Sequence, residues 1–374
     1  MKFAIDLLWV KPKHNGGIES YIRNLLDGFM ALPDINEYVL FTAKDNAKTF
    51  EHYLEDKRFS MEICDIEAFS VSKRILWQNR HFNKLLIKKG IKYCFTPVYC
   101  KPLRRCKKVK YVTTIHDLQQ LHFPEYFTKM RRAWMMYCWK RTVKTSDCIV
   151  AISEWVKKDI LDNFGREDTD VRVILNPIVT DQKKTPFDII REKYGVGEDE
   201  FMFTLCSMLK HKNVMTALKV MEKIKEEDID LPKKLIIAGI SESDENRIVD
   251  YINTHNLKEN CIMAGFISNE DRNTLFEKSY AFLFPSIFEG FGMPVVEGLM
   301  LGSRVVTTKC TSIPEVSKGK AVYVDDPFDV SEWIEKLKSI KGTEKRVIDF
   351  PEYEKSYVAS QYLKVFESVF KEYD

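Results

Sequence analysis

The chain has 374 residues, 45% of them hydrophobic and 30% charged, with a formal net charge of +3. That length exceeds one ordinary hydrophobic core and suits two domains, and the near balance of charge gives no reason to expect a nucleic acid partner. The nine cysteines, at 64, 94, 100, 106, 138, 148, 206, 261 and 310, form no CxxC pair and no zinc spacing, so reduced thiols in a cytoplasmic setting and no metal centre are expected.

Met1 leads straight into a strand-like run without a small-residue cleavage site, and no apolar run is long enough to cross a bilayer. Residues 2–9 read as a first strand. The loop after it holds His14, Gly16 and Gly17, and residues 18–30 then read as a helix. The G-x-G-x-x-G spacing of dinucleotide folds is missing, which removes the main support for a dehydrogenase. Residues 37–42 give a second strand. Residues 74–89 carry Ile75, Leu76, Phe82, Leu85 and Leu86 at helical spacing, and 91–95 are strand-like. Residues 101–110, with Lys101, Arg104, Arg105, Lys107, Lys108 and Lys110, contain no acid. Such a run is either a solvated loop or a patch for an anionic membrane surface or a lipid diphosphate.

Residues 111–115 form a strand ending at His116 and Asp117. The carboxyl end of an α/β strand is where such folds place ligands; a buried structural histidine is the equal alternative. Helices are expected over 131–143 and 154–163, the second capped by Ser153, with strands over 147–152 and 171–175. A polar linker over 180–186 follows, ending in Pro186. The second half repeats the alternation. Strands are expected at 201–206, 234–238, 261–263, 280–284, 304–307 and 321–324. Helices are expected at 213–224, 242–254 and from Ser268, a capping-box start, to 278. The last helix, over 353–373, has Val358, Tyr362, Val365 and Val369 on one face. Repeated strand-helix units predict parallel sheets with helices on both faces. The expected domains are 1–178 with the returning helix 353–374, and 179–352.

The stretch Glu289-Gly290-Phe291-Gly292-Met293-Pro294-Val295-Val296-Glu297 joins a buried strand to a helix. A glycine loop feeding a helix N-terminus aims backbone N–H groups and the positive dipole end at one point, which suits phosphate. Two carboxylates beside an anion site make sense if they flank it. Each can accept hydrogen bonds from two vicinal hydroxyls, one gripping a sugar and the other a ribose.

These residues resemble the E-G-F-G-x-P-x-x-E signature of the retaining GT-B glycosyltransferases of family four, and the resemblance extends over nearly the whole chain. It implies α/β architecture with two Rossmann-like domains facing across a cleft, and a C-terminal helix crossing back to the first. It implies transfer of a sugar from a nucleotide donor with retained configuration, and needs no cofactor or metal. Lys212-Asn213 matches the segment whose lysine meets the donor diphosphate. Gly16 and Gly17 match a loop against donor phosphates and acceptor. Ala264-Gly265-Phe266-Ile267 is similar to the base-binding segment, with Phe266 as the apolar contact. The segment from His116 to Phe127, with His122-Phe123-Pro124-Glu125, is similar to the family's active-site histidine region, which gives His116 a role on the sugar and acceptor. Glu289, Gly290, Phe291, Gly292, Met293 and Glu297 complete the donor site. One departure stands out: Ser207 replaces a glycine and Met208 an arginine, so Lys210 or His211 would have to supply the second phosphate cation.

The region from His116 to Phe127 looks most like bacterial mannosyl- and rhamnosyltransferases of surface polysaccharides such as lipopolysaccharide and capsule. It implies a GDP-mannose donor, a glycan or lipid-linked acceptor, and a cytoplasmic enzyme with possible peripheral contact at the inner membrane face. The competing readings are a GT-B phosphorylase or sugar-nucleotide epimerase, and a non-catalytic nucleotide-sugar-binding partner of a polysaccharide assembly complex.

Overall fold

The structure, a computed structural model, describes all residues except 13, 15, 100, 168–169, 181–182, 208, 241–245 and 372–374, and the side chains of 246, 370 and 371. The chain forms two compact units, residues 1–179 with 351–374, and residues 180–350.

The first unit is built on seven strands: β1 (Lys2–Asp6), β2 (Glu37–Ala43), β3 (Phe59–Cys64), β4 (Tyr93–Thr96), β5 (Lys110–Ile115), β6 (Cys148–Ala151) and β7 (Val171–Val173). They lie in the order β3-β2-β1-β4-β5-β6-β7, and every pairing is parallel. Alternation along β1 sends Phe3 and Ile5 into one core and Ala4 into another. Both faces are therefore covered, as an all-parallel sheet requires. The first strand is shorter than expected: it ends at Asp6, because the chain turns there and the Trp9 indole donates to the Asp6 carbonyl at 3.0 Å.

The long helix expected over 74–89 is three pieces. Helix Val71–Trp77 and helix Asn83–Lys88 flank a π-turn, Gln78–Phe82. Hydrophobic spacing survives such an insertion, so periodicity alone does not reveal it.

Helix Gly17–Ala31 packs against the C-terminal helix Lys355–Lys371. A Cβ at Gly28 would lie 2.2 Å from the Lys355 carbonyl oxygen, so only glycine permits this approach. The hydroxyls of Tyr21 and Tyr362 are 2.6 Å apart, and both reach Thr114 on β5. The outgoing and returning segments are tied where Ile178 N–H donates to the Tyr353 carbonyl at 2.9 Å. The last helix begins at Lys355 rather than 353 because Pro351–Tyr353 forms a separate 3-10 turn.

The second unit carries β8 (Met202–Leu205), β9 (Leu235–Ala238), β10 (Cys261–Gly265), β11 (Ala281–Phe284), β12 (Val305–Thr308) and β13 (Val322–Val324). Their order is β10-β9-β8-β11-β12-β13, again parallel throughout. Ser268 caps helix Asn269–Lys278 by accepting from Asp271 N–H at 3.0 Å, and Ser153 in the first unit accepts from Val156 N–H at 3.1 Å. Helix Asn246–Thr254 falls within the range expected, whose first residues, 242–245, lie outside the described residues. Strand β3 and the helices Phe187–Tyr194 and Val330–Ser339 carry no motif and were not anticipated.

Candidate active site

In both sheets the strand order reverses once. Loops leaving the carboxyl ends of the strands at such a point are where open α/β sheets hold ligands. In the second unit these loops follow β8 and β11. The first contains a 3-10 turn, Lys210–Lys212, and passes through Asn213 at φ +49 into helix Val214–Glu226. The second is the Glu289 stretch. The two are stitched together: the His211 carbonyl accepts from Ile287 N–H at 2.8 Å and from the Ser286 hydroxyl at 3.2 Å.

That stitching brings Lys212 and Glu289 into contact. Lys212 Nζ donates to Glu289 Oε1 at 2.7 Å, with side chains 21% and 11% exposed. In a pair so shielded from water the attraction is screened less than between fully exposed side chains. The Phe284 ring lies 5.8 Å from the ammonium. Glu289 is also pinned through its backbone. Its N–H donates to Thr311 Oγ1 at 2.9 Å, while its carbonyl accepts from the Thr311 and Ser312 hydroxyls at 2.8 and 2.9 Å. Thr311 itself sits at φ +52, a conformation unfavourable for a β-branched residue. Phe288 and Phe291 are buried on either side of Glu289. Gly292, at φ +92, is the N-cap of helix Met293–Met300, in whose first turn Pro294 lies.

Glu297, on that helix, is 7% exposed, with Oε1 3.6 Å from Arg272 Nη1. Arg272 comes from helix Asn269–Lys278, and its Nε is buried without a hydrogen-bond partner. Sequence reading missed it: between Asp271 and Asn273 it looks like one more charge on a solvated face. Thr311 and Ser312 were missed for the same reason, since their contacts are purely tertiary.

His211 is buried, and burial, followed by the charge of Lys212, pushes its imidazole down to about 3. A neutral ring packed edge-on to Phe288 is no phosphate cation, which corrects one of the two expected substitutes. Lys210 is exposed and lines a cavity of about 150 Å³ together with Ser207 and Arg247. Met208 lies outside the described residues. Phe266, directly after β10, is 81% exposed, an aromatic face presented to solvent at the ligand-bearing edge of the sheet.

In the first unit, Gly16 has φ +52 and caps helix Gly17–Ala31 after β1. Asn15 lies outside the described residues. His116 follows β5. Its Nε2 is 2.8 Å from the Pro97 carbonyl, and its ring meets Tyr21 edge-on at 4.7 Å. A carbonyl only accepts, so the proton sits on Nε2 and Nδ1 is the acceptor. Burial holds the imidazole down to about 4, against the weaker pull of the Pro97 hydrogen bond. At neutral pH His116 is therefore an uncharged acceptor.

The basic run is not one patch. Lys101 is buried over the Tyr111 ring at 4.5 Å, and Lys110 pairs with Asp147 at 3.0 Å, leaving Arg104, Arg105, Lys107 and Lys108 exposed. Among the described residues no group of three or more acidic, histidine or cysteine side chains could hold a metal ion, and no helix is long and apolar enough to cross a membrane.

Comparison with known proteins follows the same division of the chain. The family profile described as Glycosyltransferase Family 4 matches residues 15–182, and that described as Glycosyl transferases group 1 matches residues 186–356. The O-antigen chain mannosyltransferase RfbU of Salmonella typhimurium is 25% identical over 278 residues, 73% of this chain and 72% of that protein. The O-antigen chain mannosyltransferase B of Escherichia coli is 25% identical over 224 residues, 59% of this chain and 58% of that protein. Among solved structures, sucrose-phosphate synthase from Thermosynechococcus elongatus superposes over 100% of both chains with a TM-score of 0.75 at 16% identity, which speaks to the fold.

Proposed function

The chain belongs to the group 1, family 4 glycosyltransferases and has their two Rossmann-like domains, and from that premise we propose that it is a retaining mannosyltransferase of surface polysaccharide synthesis, using GDP-mannose. The observation that carries the donor reading is the Lys212–Glu289 contact at the reversal point of the second sheet. The mannose preference is supported by two O-antigen mannosyltransferase relatives. The acceptor is a glycan or a lipid-linked glycan.

In the free enzyme Lys212 is neutralised by Glu289. A diphosphate offers the ammonium more negative charge than one carboxylate does, so donor binding draws Lys212 onto the leaving phosphates. The backbone N–H groups of Gly290 to Met293, at the start of helix Met293–Met300, assist it. Stabilising charge that grows as the sugar departs is electrostatic catalysis, and it needs no metal. Glu289, released from Lys212, turns its carboxylate to the sugar hydroxyls. Glu297, oriented by Arg272, accepts from the ribose hydroxyls, and Phe266 lies along the base. Retention follows from attack on the face the phosphate leaves, with a phosphate oxygen taking the acceptor proton. Neutral His116 accepts from a hydroxyl of the sugar or acceptor through Nδ1. Gly16 and Gly17 leave the backbone open at the first helix terminus.

The test is a thermal-shift panel of UDP-, GDP- and dTDP-sugars, because a bound donor raises apparent stability by mass action. GDP-mannose is expected to give the largest shift, followed by transfer of radiolabelled mannose with retained configuration. A larger shift with a UDP- or dTDP-sugar overturns the donor; inverted product overturns the mechanism.

A further inference from the structure

The first sheet has its own reversal point, between β1 and β4. Asp6 closes β1, Tyr99 and Lys101 lie just beyond β4, and the broken helix crosses nearby. Within the first unit the broken helix, the segment after β4 and helix Lys129–Thr145 enclose a cavity of about 430 Å³. Its floor holds two buried cations. Arg74 is 5% exposed, and its Nε and Nη1 are buried with no hydrogen-bond partner. Lys101 is 4% exposed, and among the described residues no carboxylate lies within ion-pair distance of it. Unpaired buried N–H donors on a guanidinium are costly, and a structure keeps them where a ligand completes the set.

Two acids act on these cations and neither completes the set: Asp147, which pulls Lys101 upward against Arg141 and Arg105, is paired with Lys110, and Asp6 acts on Arg74. Asp6 accepts from Gln78 Nε2 at 2.8 Å and from Leu8 N–H at 3.1 Å, and burial raises it to about 7 against the opposing pull of Arg74. It offsets only part of the cationic charge at neutral pH. The π-turn sets this geometry. It is where Gln78 reaches Asp6 and where Asn79 Oδ1 accepts from Leu103 N–H at 2.8 Å, fixing the loop that carries Lys101. The mouth is apolar: Val71 and Trp134 are 41% and 42% exposed. Exposed Arg131 stands beside them on a helix whose sequence, KMRRAWMMYCWKRTVKT, contains no acid to repel an anion.

We propose that this cavity is a second anion site, taking the phosphate head of an amphiphile on Arg74 and Lys101 and its apolar body along Val71, Ile75, Trp134 and Met135. A guanidinium with two vacant donors matches two phosphate oxygens. The site deepens the proposed function by giving the acceptor side a phosphate on an apolar chain. It rests on that reading only for the ligand's role, since binding requires no donor.

Calorimetry with dodecyl phosphate below its micelle concentration tests it. Dodecyl phosphate is expected to bind wild type at least tenfold more tightly than dodecanol or inorganic phosphate. Arg74→Gln should weaken binding more than tenfold, and Lys101→Met and Arg131→Gln severalfold, with GDP binding to the second unit unchanged in the same samples. Burial holds Lys101 down to about 8. Wild-type affinity should therefore fall severalfold between pH 7.5 and 9 as that ammonium loses its proton, and Lys101→Met should flatten the profile. Competition from phosphatidylglycerol vesicles would assign the phosphate to a membrane headgroup, and its absence to a lipid-linked acceptor. If Arg74→Gln does not fold, Lys101 and the exposed Arg131 still decide. No binding of dodecyl phosphate, or equal affinity in wild type, Lys101→Met and Arg131→Gln, overturns the site. Loss of GDP-mannose transfer with dodecyl phosphate binding intact would count against the donor reading alone.

Discussion

At the reversal point of the second sheet, a partly shielded lysine meets a buried glutamate, Lys212 on Glu289 at 2.7 Å. At the same point of the first sheet the charges are sunk: Asp6 lies under Gln78, with Arg74 and Lys101 behind it. The two sheets share one strand order through their first six strands, so topology dictates where a ligand goes but not what ligand. In the second unit the cation already has a partner, which under the proposed function an incoming diphosphate would displace. In the first unit the guanidinium has donors with no partner at all. The two histidines differ in the same way: His211 is buried with its ring edge-on to Phe288, whereas half-buried His116 is oriented by a carbonyl and keeps an acceptor nitrogen.

The sharpest way to break this contrast is Glu289→Gln. Turnover is expected to fall by roughly a hundred- to a thousandfold, the range for losing one group that acts on developing charge, while GDP affinity measured by calorimetry stays the same or rises because Lys212 is freed. If GDP binding disappears instead, Glu289 and Glu297 have exchanged roles.

Lys212→Ala comes next. Steady-state kinetics should show a loss of about a hundredfold in kcat. Because Glu289 is only 11% exposed, the variant also strands a shielded carboxylate, and the melting temperature should drop by a few degrees. The double variant Lys212→Ala/Glu289→Gln should melt higher than Lys212→Ala alone. Additive losses would mean that the pair is incidental.

Glu297→Gln should raise the KM for donor by about tenfold with kcat almost unchanged, since ribose contacts are uniform between ground and transition states. A kcat effect larger than the KM effect would move Glu297 into the chemistry.

The histidines give a smaller, shared signal. Both have folded-state values below the ordinary 6.5, at about 4 for His116 and about 3 for His211. Below pH 6.5 the unfolded chain binds protons that the folded one refuses, so stability falls as pH drops from 6.5 toward 4 and is unaffected by these groups above 6.5. Urea unfolding of His116→Gln should show a slope shallower by about one proton across that window. An unchanged slope would mean that His116 is charged in the folded state.

The smallest expected effect is that of EDTA. Transfer should persist undiminished, because the charge on the leaving group is met by Lys212 and backbone N–H groups. Loss of activity restored by magnesium or manganese would replace this mechanism.

Alternating strand and helix patterns, read along the chain, determine two parallel sheets, because parallel strands need crossovers and most of the crossovers here are helical. The strand-loop-helix form of the Glu289–Glu297 stretch was legible because its signals are local: glycines and a proline between an apolar strand and an apolar helix. Ser153 and Ser268 were legible for the same reason, a cap being settled within three residues. Tertiary structure alone decided which charges meet. Nothing near Arg272 in sequence points to Glu297, nor does anything near Thr311 point to the Glu289 peptide, and Arg74 reads as part of an unbroken amphipathic helix. Tertiary structure also reversed two expectations, burying His211 and Lys101 out of basic stretches that look solvated. The physical reason is that burial and pairing depend on what packs from distant parts of the chain. A one-dimensional pattern records the periodicity that drives folding, not the partner that each charge finds afterwards.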